Sequence, residues 1–269
     1  EMVEDGTFAQ IAAKWKLTDS VCLKPSGAKS ASAAAVTATG SGVSETTGGS
    51  GSSSSIWKTI GQLGEGMGAS LAIFMLTLLF SLPLGLLLCV LRMSRFRILQ
   101  WIARIYISIM RGTPLMLQII VVYFAPYYMF RMKMGPSYRF PAVIIAFVIN
   151  YAAYFAEIYR SGIESMPNGQ YEAAQVLGYN KAQTFIRIIL PQVIKLVLPS
   201  ITNETITLVK DTSLAFTISI AEMFTVAKQI GAAQTSVMPL LAAGIFYYVF
   251  NLIVATVMEY IKKRLSYYR

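Results

Sequence analysis

The sequence contains no histidine and only two cysteines among its 269 residues. The absence of histidine excludes His-based metal sites and the Ser-His and Cys-His pairs that activate many protein nucleophiles. Cys22 lies beside a Ser/Gly-rich tract and Cys89 lies inside an apolar run, so neither residue gives a reason to expect a disulfide. The composition therefore argues against a hydrolytic enzyme, and it predicts no metal site.

Charged residues are also scarce, at 13%, whereas hydrophobic residues make up 55% of the chain. This usage, with a mean hydropathy of +0.56, lies outside that of soluble proteins and indicates a membrane protein. The net charge is +10, but the basic residues stand at the ends of apolar segments, as at Arg92, Arg95 and residues 262–264. This is the positive-inside pattern of membrane proteins, and it predicts no nucleic-acid partner.

A phosphate-binding loop of the form G-x-x-x-x-G-K-[ST] is absent from the sequence. We therefore expect that this chain binds no ATP and no other cofactor itself.

The apolar segments predict an all-α integral membrane protein with about five transmembrane helices. The first clear span, residues 71–91, contains no charge and satisfies the ~20 residues that a bilayer requires. An interfacial helix is expected at 56–67, before this span. Within the span, Pro83 and Gly85 predict a kink. A second, broken helix is expected at Thr113-Pro114. The segments assigned to the remaining crossings are 98–129, 140–159, 194–209 and 237–257.

The basic ends of these segments predict the orientation of the chain. Arginines follow the first span directly, and residues 262–264 follow the last. Because basic residues favour the cytoplasmic side, we expect the N-terminus outside and the C-terminus in the cytoplasm.

A polar segment at 168–191 interrupts the apolar pattern and contains the run QYEAAQVLGYNKAQTFIRIILP. Gly178 is expected to end a short helix in the left-handed conformation. Asn180 with Gln183 forms a capping-box pattern that starts a second helix, and Pro191 is expected to end that helix. The segment therefore predicts a helix-turn-helix outside the bilayer.

The spacing of Glu172-Ala173-Ala174, Gly178 and Leu190-Pro191 resembles the EAA loop of ATP-binding-cassette (ABC) importer permeases. In that family the loop is the cytoplasmic coupling helix, which docks on a separate ATPase. The runs Arg-Gly-Thr-Pro-Leu at 111–115, with Gln118 after it, and Lys-Asp-Thr-Ser-Leu at 210–214 are similar to signatures of the polar amino-acid branch, which carries histidine, glutamate, glutamine or arginine.

The resemblance implies a set of partners. It implies two copies of an ABC ATPase that bind ATP and Mg, and a second permease copy, with a homodimer favoured over a heterodimer. It also implies an extracellular solute-binding receptor, a polar amino-acid substrate and a multi-pass location in a bacterial inner membrane. The pairing of two copies is expected because five helices are too few to enclose a path.

Polar residues inside the apolar spans are the candidates for the substrate path. Asn150, Tyr154 and Glu157 fall on one helix face, which we expect to line the bundle interior, although Glu157 can instead sit near the cytoplasmic end. Arg111 is either a snorkelling cation or part of a gate. The other candidates, which can equally be structural groups, are Gln118, Lys210, Asp211 and Ser213.

The N-terminal quarter has a different composition. Residues 1–17, with Asp-Gly-Thr before a short amphipathic stretch that contains Lys-Trp, resemble the last helix of the receptors that feed amino-acid importers. Residues 26–55 are almost entirely Ser, Gly, Ala and Thr. We therefore expect the tail of a fused receptor at 1–25, a flexible linker at 26–55, and a permease domain at 56–269.

Two other functions remain open at this point. A secondary transporter or channel driven by an ion gradient would use the same intramembrane polar groups without an ATPase. An intramembrane enzyme would need a Ser-Lys or paired-acid scheme, for which Lys210 and Ser213 are a thin basis.

Overall fold

The fold was taken from a computed structural model, which describes residues 51–131 and 135–265, with the side chains of 59–129, 131 and 135–265. Every regular element within these ranges is helical, which confirms the predicted all-α class. The predictions for the receptor tail and for linker residues 26–50 lie outside the described residues. The helices are α1 (Gly51–Arg92), α2 (Arg97–Gly112), α3 (Leu115–Phe130), α4 (Arg139–Glu164), α5 (Asn168–Val176), α6 (Lys181–Thr184), α7 (Leu190–Asp211), α8 (Met223–Gln234) and α9 (Met238–Leu265).

The membrane-crossing helices agree with the prediction of about five spans. In the described part of the chain, four helical segments are long and apolar enough to cross a membrane: Thr59–Arg92, Pro136–Glu164, Lys181–Ile218 and Met238–Leu265. The pair α2 and α3 meets the same criterion together, with a bend of 112° between its two parts. The predicted break at Thr113-Pro114 is thus confirmed, because Thr113 and Pro114 are extended residues between the two helices.

Helix α1 is longer than the sequence indicates. It runs without interruption through residues 51–67, so the prediction of a separate interfacial helix at 56–67 was wrong. The helix continues because Leu63 is fully buried against Met223 and Ala227, and Gly66 lies against the backbone of Met223. Packing against α8 therefore extends the helix beyond the membrane segment.

Helix α4 is the centre of the bundle and is buried along most of its length. It packs most closely against α1, where small residues let the two backbones approach. A Cβ added at Gly85 would lie 2.8 Å from the Cβ of Phe155 and 3.1 Å from the carbonyl oxygen of Ala152. Gly162 permits a similar close approach to Val197 of α7. The position of α4 is thus fixed from both sides.

Pro191 does not end the second helix of the polar segment, so that prediction was wrong. Helix α6 continues through a π-helical turn, Phe185–Ile189, directly into α7, and Pro191 lies in the first turn of α7. A π turn carries an extra residue, which relieves the clash between a proline ring and the preceding helical turn. The polar segment is therefore joined rigidly to a membrane-crossing helix.

The contact between α8 and α9 is held by a buried carboxylate. Glu222 has no exposed surface and accepts hydrogen bonds from the backbone amides of Phe224 and Thr225, each 2.7 Å long. The Tyr247 hydroxyl of α9 donates a further hydrogen bond of 3.0 Å. Glu222 therefore caps α8 and ties it to α9.

Candidate functional site

The polar segment 168–191 folds as the sequence predicts around Gly178. Helix α5 ends at Val176, and Gly178 adopts φ +78°. The amide of Gly178 donates to the Gln175 carbonyl (2.9 Å), and that of Tyr179 donates to the Ala174 carbonyl (3.0 Å). This pair of bonds is a Schellman motif, which needs a left-handed residue at the position of Gly178.

The start of α6 confirms the predicted capping box. The Asn180 side chain accepts a hydrogen bond from the Gln183 amide (2.9 Å), and the Gln183 side chain accepts one from the Asn180 amide (3.0 Å). Both helix ends next to the turn are therefore fixed by local hydrogen bonds.

The tip of this segment presents apolar side chains to the surroundings. Val176 is 88% exposed and Leu177 is 72% exposed. Glu172 and Ala173 of α5 are exposed as well, whereas Ala174 is buried against the rest of the chain. Exposed apolar residues beside an acidic one are typical of a docking surface for another protein.

The base of the segment contacts two membrane-crossing helices. Tyr171 and Met166 pack on a buried cluster made of Ile189, Val193 and Val197. A displacement of α5 would therefore be transmitted by direct contact to the first turns of α7.

A polar cavity of about 370 Å³ lies between the end of α2 and the facing sides of α4 and α7. Tyr154 and Glu157 line it from α4, and Arg111 lines it from α2. A second cavity of about 430 Å³ shares Arg111 and Glu157 and adds Arg92 and Arg104. The two cavities form a polar region within the helix bundle.

Glu157 is neutralised by arginines. Arg160 donates to its carboxylate, and the Nε atom of Arg92 lies 3.5 Å from the Glu157 Oε2 atom. Arg111 makes no ion pair among the described residues and lies over the Tyr154 ring, 5.3 Å from the ring centre. Arg111 is thus a cation at both cavities whose charge is not balanced by an ion pair with the described residues.

Gln118 and Asn150 meet each other instead of lining this cavity. The Asn150 side chain donates to the Gln118 side chain (3.0 Å) and to the Met110 carbonyl (3.1 Å). Gln118 in turn donates to the Met110 carbonyl (2.9 Å) and to the Thr113 hydroxyl (2.8 Å). These bonds join the two sides of the break between α2 and α3 to α4.

Lys210, Asp211 and Ser213 lie at the opposite end of α7 from the polar segment. The Asp211 carboxylate accepts a hydrogen bond of 2.7 Å from the Tyr151 hydroxyl. Lys210 is exposed, and Ser213 donates to the Lys210 carbonyl (2.8 Å). No ion pair between Lys210 and Asp211 is present in this part of the described chain.

The residues on the α7 side of the polar cavity were not among the sequence-predicted site residues. Glu204 and Ser200 of α7 line the polar cavity opposite Tyr154 and Glu157. The signal for Glu204 was an acidic residue in the middle of an apolar segment, a position that is usually functional. At helical spacing, residues 200, 204 and 211 fall on one face of α7.

Comparisons with known proteins agree with this architecture. Residues 81–267 match the family described as "Binding-protein-dependent transport system inner membrane component". The L-cystine transport system permease of Bacillus subtilis is 35% identical over 77% of this chain and 87% of its own length. The arginine transport system permease of the same organism is 36% identical over 75% of this chain and 91% of its own length.

Solved structures show the same fold. A chain from the structure described as "Crystal structure of an amino acid ABC transporter with histidines" has a TM-score of 0.72 and 29% identity, and the match covers 78% of this chain and 97% of that one. A methionine ABC transporter in an inward-facing conformation has a TM-score of 0.58 at 16% identity, which shows the fold alone. On the family match and the two relatives, the chain belongs to the inner membrane components of binding-protein-dependent transport systems, the permease subunits of ABC importers.

Proposed function

We propose that this chain is the permease subunit of an ATP-driven importer for polar amino acids. Residues 56–269 form the permease domain, residues 1–25 are the tail of a fused receptor, and residues 26–55 are the linker between them. The chain itself binds no cofactor, and ATP and Mg are held by two copies of a partner ATPase.

The observation that carries the coupling part of this proposal is the geometry of segment 168–191. The tip formed by Val176 and Leu177 is exposed, and its base contacts α7 through Tyr171 and Ile189. A partner that binds the tip can thus displace α7. Glu172, Ala173, Ala174, Gly178, Leu190 and Pro191 are the residues that we assign to ATPase coupling.

The substrate class follows from the charges of the polar cavity. Arg111 can contact a carboxylate, and Glu204, which makes no ion pair among the residues described, can contact an amino group. Opposite charges in one cavity suit a zwitterion. The relatives support this class, because their names refer to arginine, L-cystine, glutamine and octopine transport.

The path that we propose runs along one face of α7. Ser200 and Glu204 line the cavity, and Asp211 lies ~10 Å farther along the same face, from the 1.5 Å rise per residue. Tyr154 and Glu157 face this line from α4, while Lys210 and Ser213 stand at its outer end. Gln118 and Asn150 act on the path indirectly, since they hold the helix break beside it.

Two copies are needed to close the path, and we favour a homodimer in a bacterial inner membrane. The N-terminus then lies outside, next to the receptor, and segment 168–191 lies in the cytoplasm. Binding of ATP to the closed ATPase pair would favour the outward-open state of the permease pair.

The experiment is uptake of labelled polar amino acids into proteoliposomes that hold the full-length chain and its ATPase. ATP enclosed in the vesicles should be required for uptake, and competition among unlabelled amino acids should identify the substrate class. Uptake that ignores ATP and follows an imposed ion gradient would contradict the proposal and favour a secondary transporter.

A further inference from the structure

A large apolar cavity adjoins the polar one, and Val197 of α7 lines both. The apolar cavity measures about 990 Å³ and is bounded by α1, α4, α7 and α9. Its walls are formed mostly by aliphatic side chains, such as Leu82, Leu86, Ile194 and Met258. Glu157, Glu204 and Arg111 do not line it. The cavity therefore does not belong to the substrate path.

The cavity has the length that a lipid chain needs. On α1 its lining extends from Leu78 to Val90, about 18 Å at 1.5 Å per residue. One leaflet contributes about half of the ~30 Å hydrocarbon core of a bilayer. The cavity is thus long enough to receive an acyl chain that runs parallel to the helices, and its volume is at the upper end of ~300–1,000 Å³ for small-molecule sites.

One end of the cavity is basic. Ser94 and Arg95 line it where α1 ends, and Ile261 lines it on α9 directly before the basic residues 262–264. A hydroxyl and a guanidinium group at this end can bind a phosphate, because arginine binds phosphate oxygens through two donors. An apolar cleft with a basic mouth is complementary to an anionic phospholipid in both of its parts.

We propose that this cavity binds one acyl chain of an anionic phospholipid, with Arg95 and Ser94 at the phosphate. The lipid fills the space between α1 and α7 that the bundle leaves open. Because Leu190 and Val193 also line the cavity, the lipid supports the first turns of α7, to which segment 168–191 is joined. This proposal requires only that the chain lies in a membrane and is independent of the transported substrate.

The test uses the full-length chain in phosphatidylcholine nanodiscs that contain a trace of phosphatidylglycerol with a photoreactive group in its acyl chain. Labelled peptides are identified by mass spectrometry after irradiation. We expect labelling of α1 and α7 at residues that line the cavity. Unlabelled phosphatidylglycerol should compete several-fold better than phosphatidylcholine, free palmitate or inorganic phosphate.

Matched variants separate this site from general lipid contact. Leu86 lines the cavity and its neighbour Leu87 does not, although their exposed fractions are similar at 52% and 55%. Leu86→Trp should fill the cavity and reduce labelling several-fold, whereas Leu87→Trp should leave it unchanged. Arg95→Gln should abolish the preference for phosphatidylglycerol, whereas Arg97→Gln, a change of equal charge outside the cavity, should retain it.

Three results would overturn the proposal. The first is equal labelling of the two tryptophan variants, and the second is competition by phosphatidylcholine, palmitate or phosphate that matches phosphatidylglycerol. The third is a protein cross-link from a photoreactive residue in place of Ile194 to a second copy of the chain, which would assign the cavity to a permease interface. Folding of each variant is checked by its thermal unfolding in detergent.

Discussion

Gln118 and Asn150 are buried amides whose hydrogen bonds close on each other and on the Met110 carbonyl. They lie where the backbone between α2 and α3 leaves helical geometry and where Pro114 provides no N–H. Polar groups inside a membrane protein need such partners, because water is not available to replace them. At the scale of single residues, these two amides stabilise the break in the second membrane-crossing segment.

We predict that Asn150→Ala and Gln118→Ala each lower the free energy of unfolding by ~1–3 kcal/mol, the cost of leaving a buried polar partner unsatisfied. The double variant should lose less unfolding free energy than the two single variants lose in total, because each single change already breaks the hydrogen bond between the two side chains. Thermal unfolding in detergent measures both effects, with Asn203→Ala at an exposed position of α7 as the control. Additive costs would contradict the shared bond.

The sequence placed Asn150 correctly on a buried polar face, but it could not identify its partner. Helical periodicity shows which residues share a face, and it contains no information about which side chain of another helix lies opposite. Gln118 and Asn150 are separated by 32 positions, so only the packing of α3 against α4 brings them together. Glu157 and Tyr154, by contrast, line a polar cavity that the sequence did not predict.

Glu204 gives a second residue-scale prediction. Glu204→Gln removes the negative charge from the α7 side of the cavity and keeps the size of the side chain. We expect several-fold weaker uptake, through a higher apparent KM, with little change in thermal unfolding. Glu259→Gln, an acidic position on the exposed end of α9, serves as the control. Equal uptake by both variants would exclude Glu204 from the path.

At the scale of helices, the contact of α1 with α4 determines the core. Adding a Cβ at Gly85 requires Phe155 or the backbone of Ala152 to move, and overpacking of this kind costs ~1–3 kcal/mol. Gly68→Ala on the same helix meets open space and should instead stabilise by up to ~1 kcal/mol. Thermal unfolding of Gly85→Ala and Gly68→Ala should therefore shift in opposite directions. A stabilised Gly85→Ala protein would contradict the close packing.

Segment 168–191 shows how far local sequence determines an element. The turn at Gly178 and the capping box at Asn180 depend on residues within a few positions, and both were predicted correctly. The continuation of the helix through Pro191 was not predicted, because it depends on a π turn and on the burial of Ile189 and Val193 against α4. The same reason applies to α1, whose N-terminal extension is stabilised by α8.

At the scale of the whole molecule, we propose that one chain provides half of a transport path. The polar cavity is bounded by α2, α4 and α7 of a single copy, and many large apolar side chains on these helices remain exposed. Lipid covers part of such a surface, and a second copy placed about a two-fold axis would cover another part and close the path. In this arrangement the two segments 168–191 lie on the same side of the membrane, where a pair of ATPases can move them together.

Segment 168–191 is proposed to transmit movement of the ATPase to α7, and one pair of variants tests this directly. Gly178→Asp places a side chain at φ +78°, which strains the turn by ~1–2 kcal/mol and disrupts the Schellman motif. Gly169→Asp makes the same chemical change in the first turn of α5, where an acidic residue is favourable.

The measurement is ATP-driven amino-acid uptake in proteoliposomes, with retention of the ATPase on the tagged permease measured beside it. Our account predicts that Gly178→Asp abolishes uptake and weakens ATPase retention, while Gly169→Asp transports at close to the parent rate. Full uptake by Gly178→Asp would contradict the assignment of the loop as the coupling element.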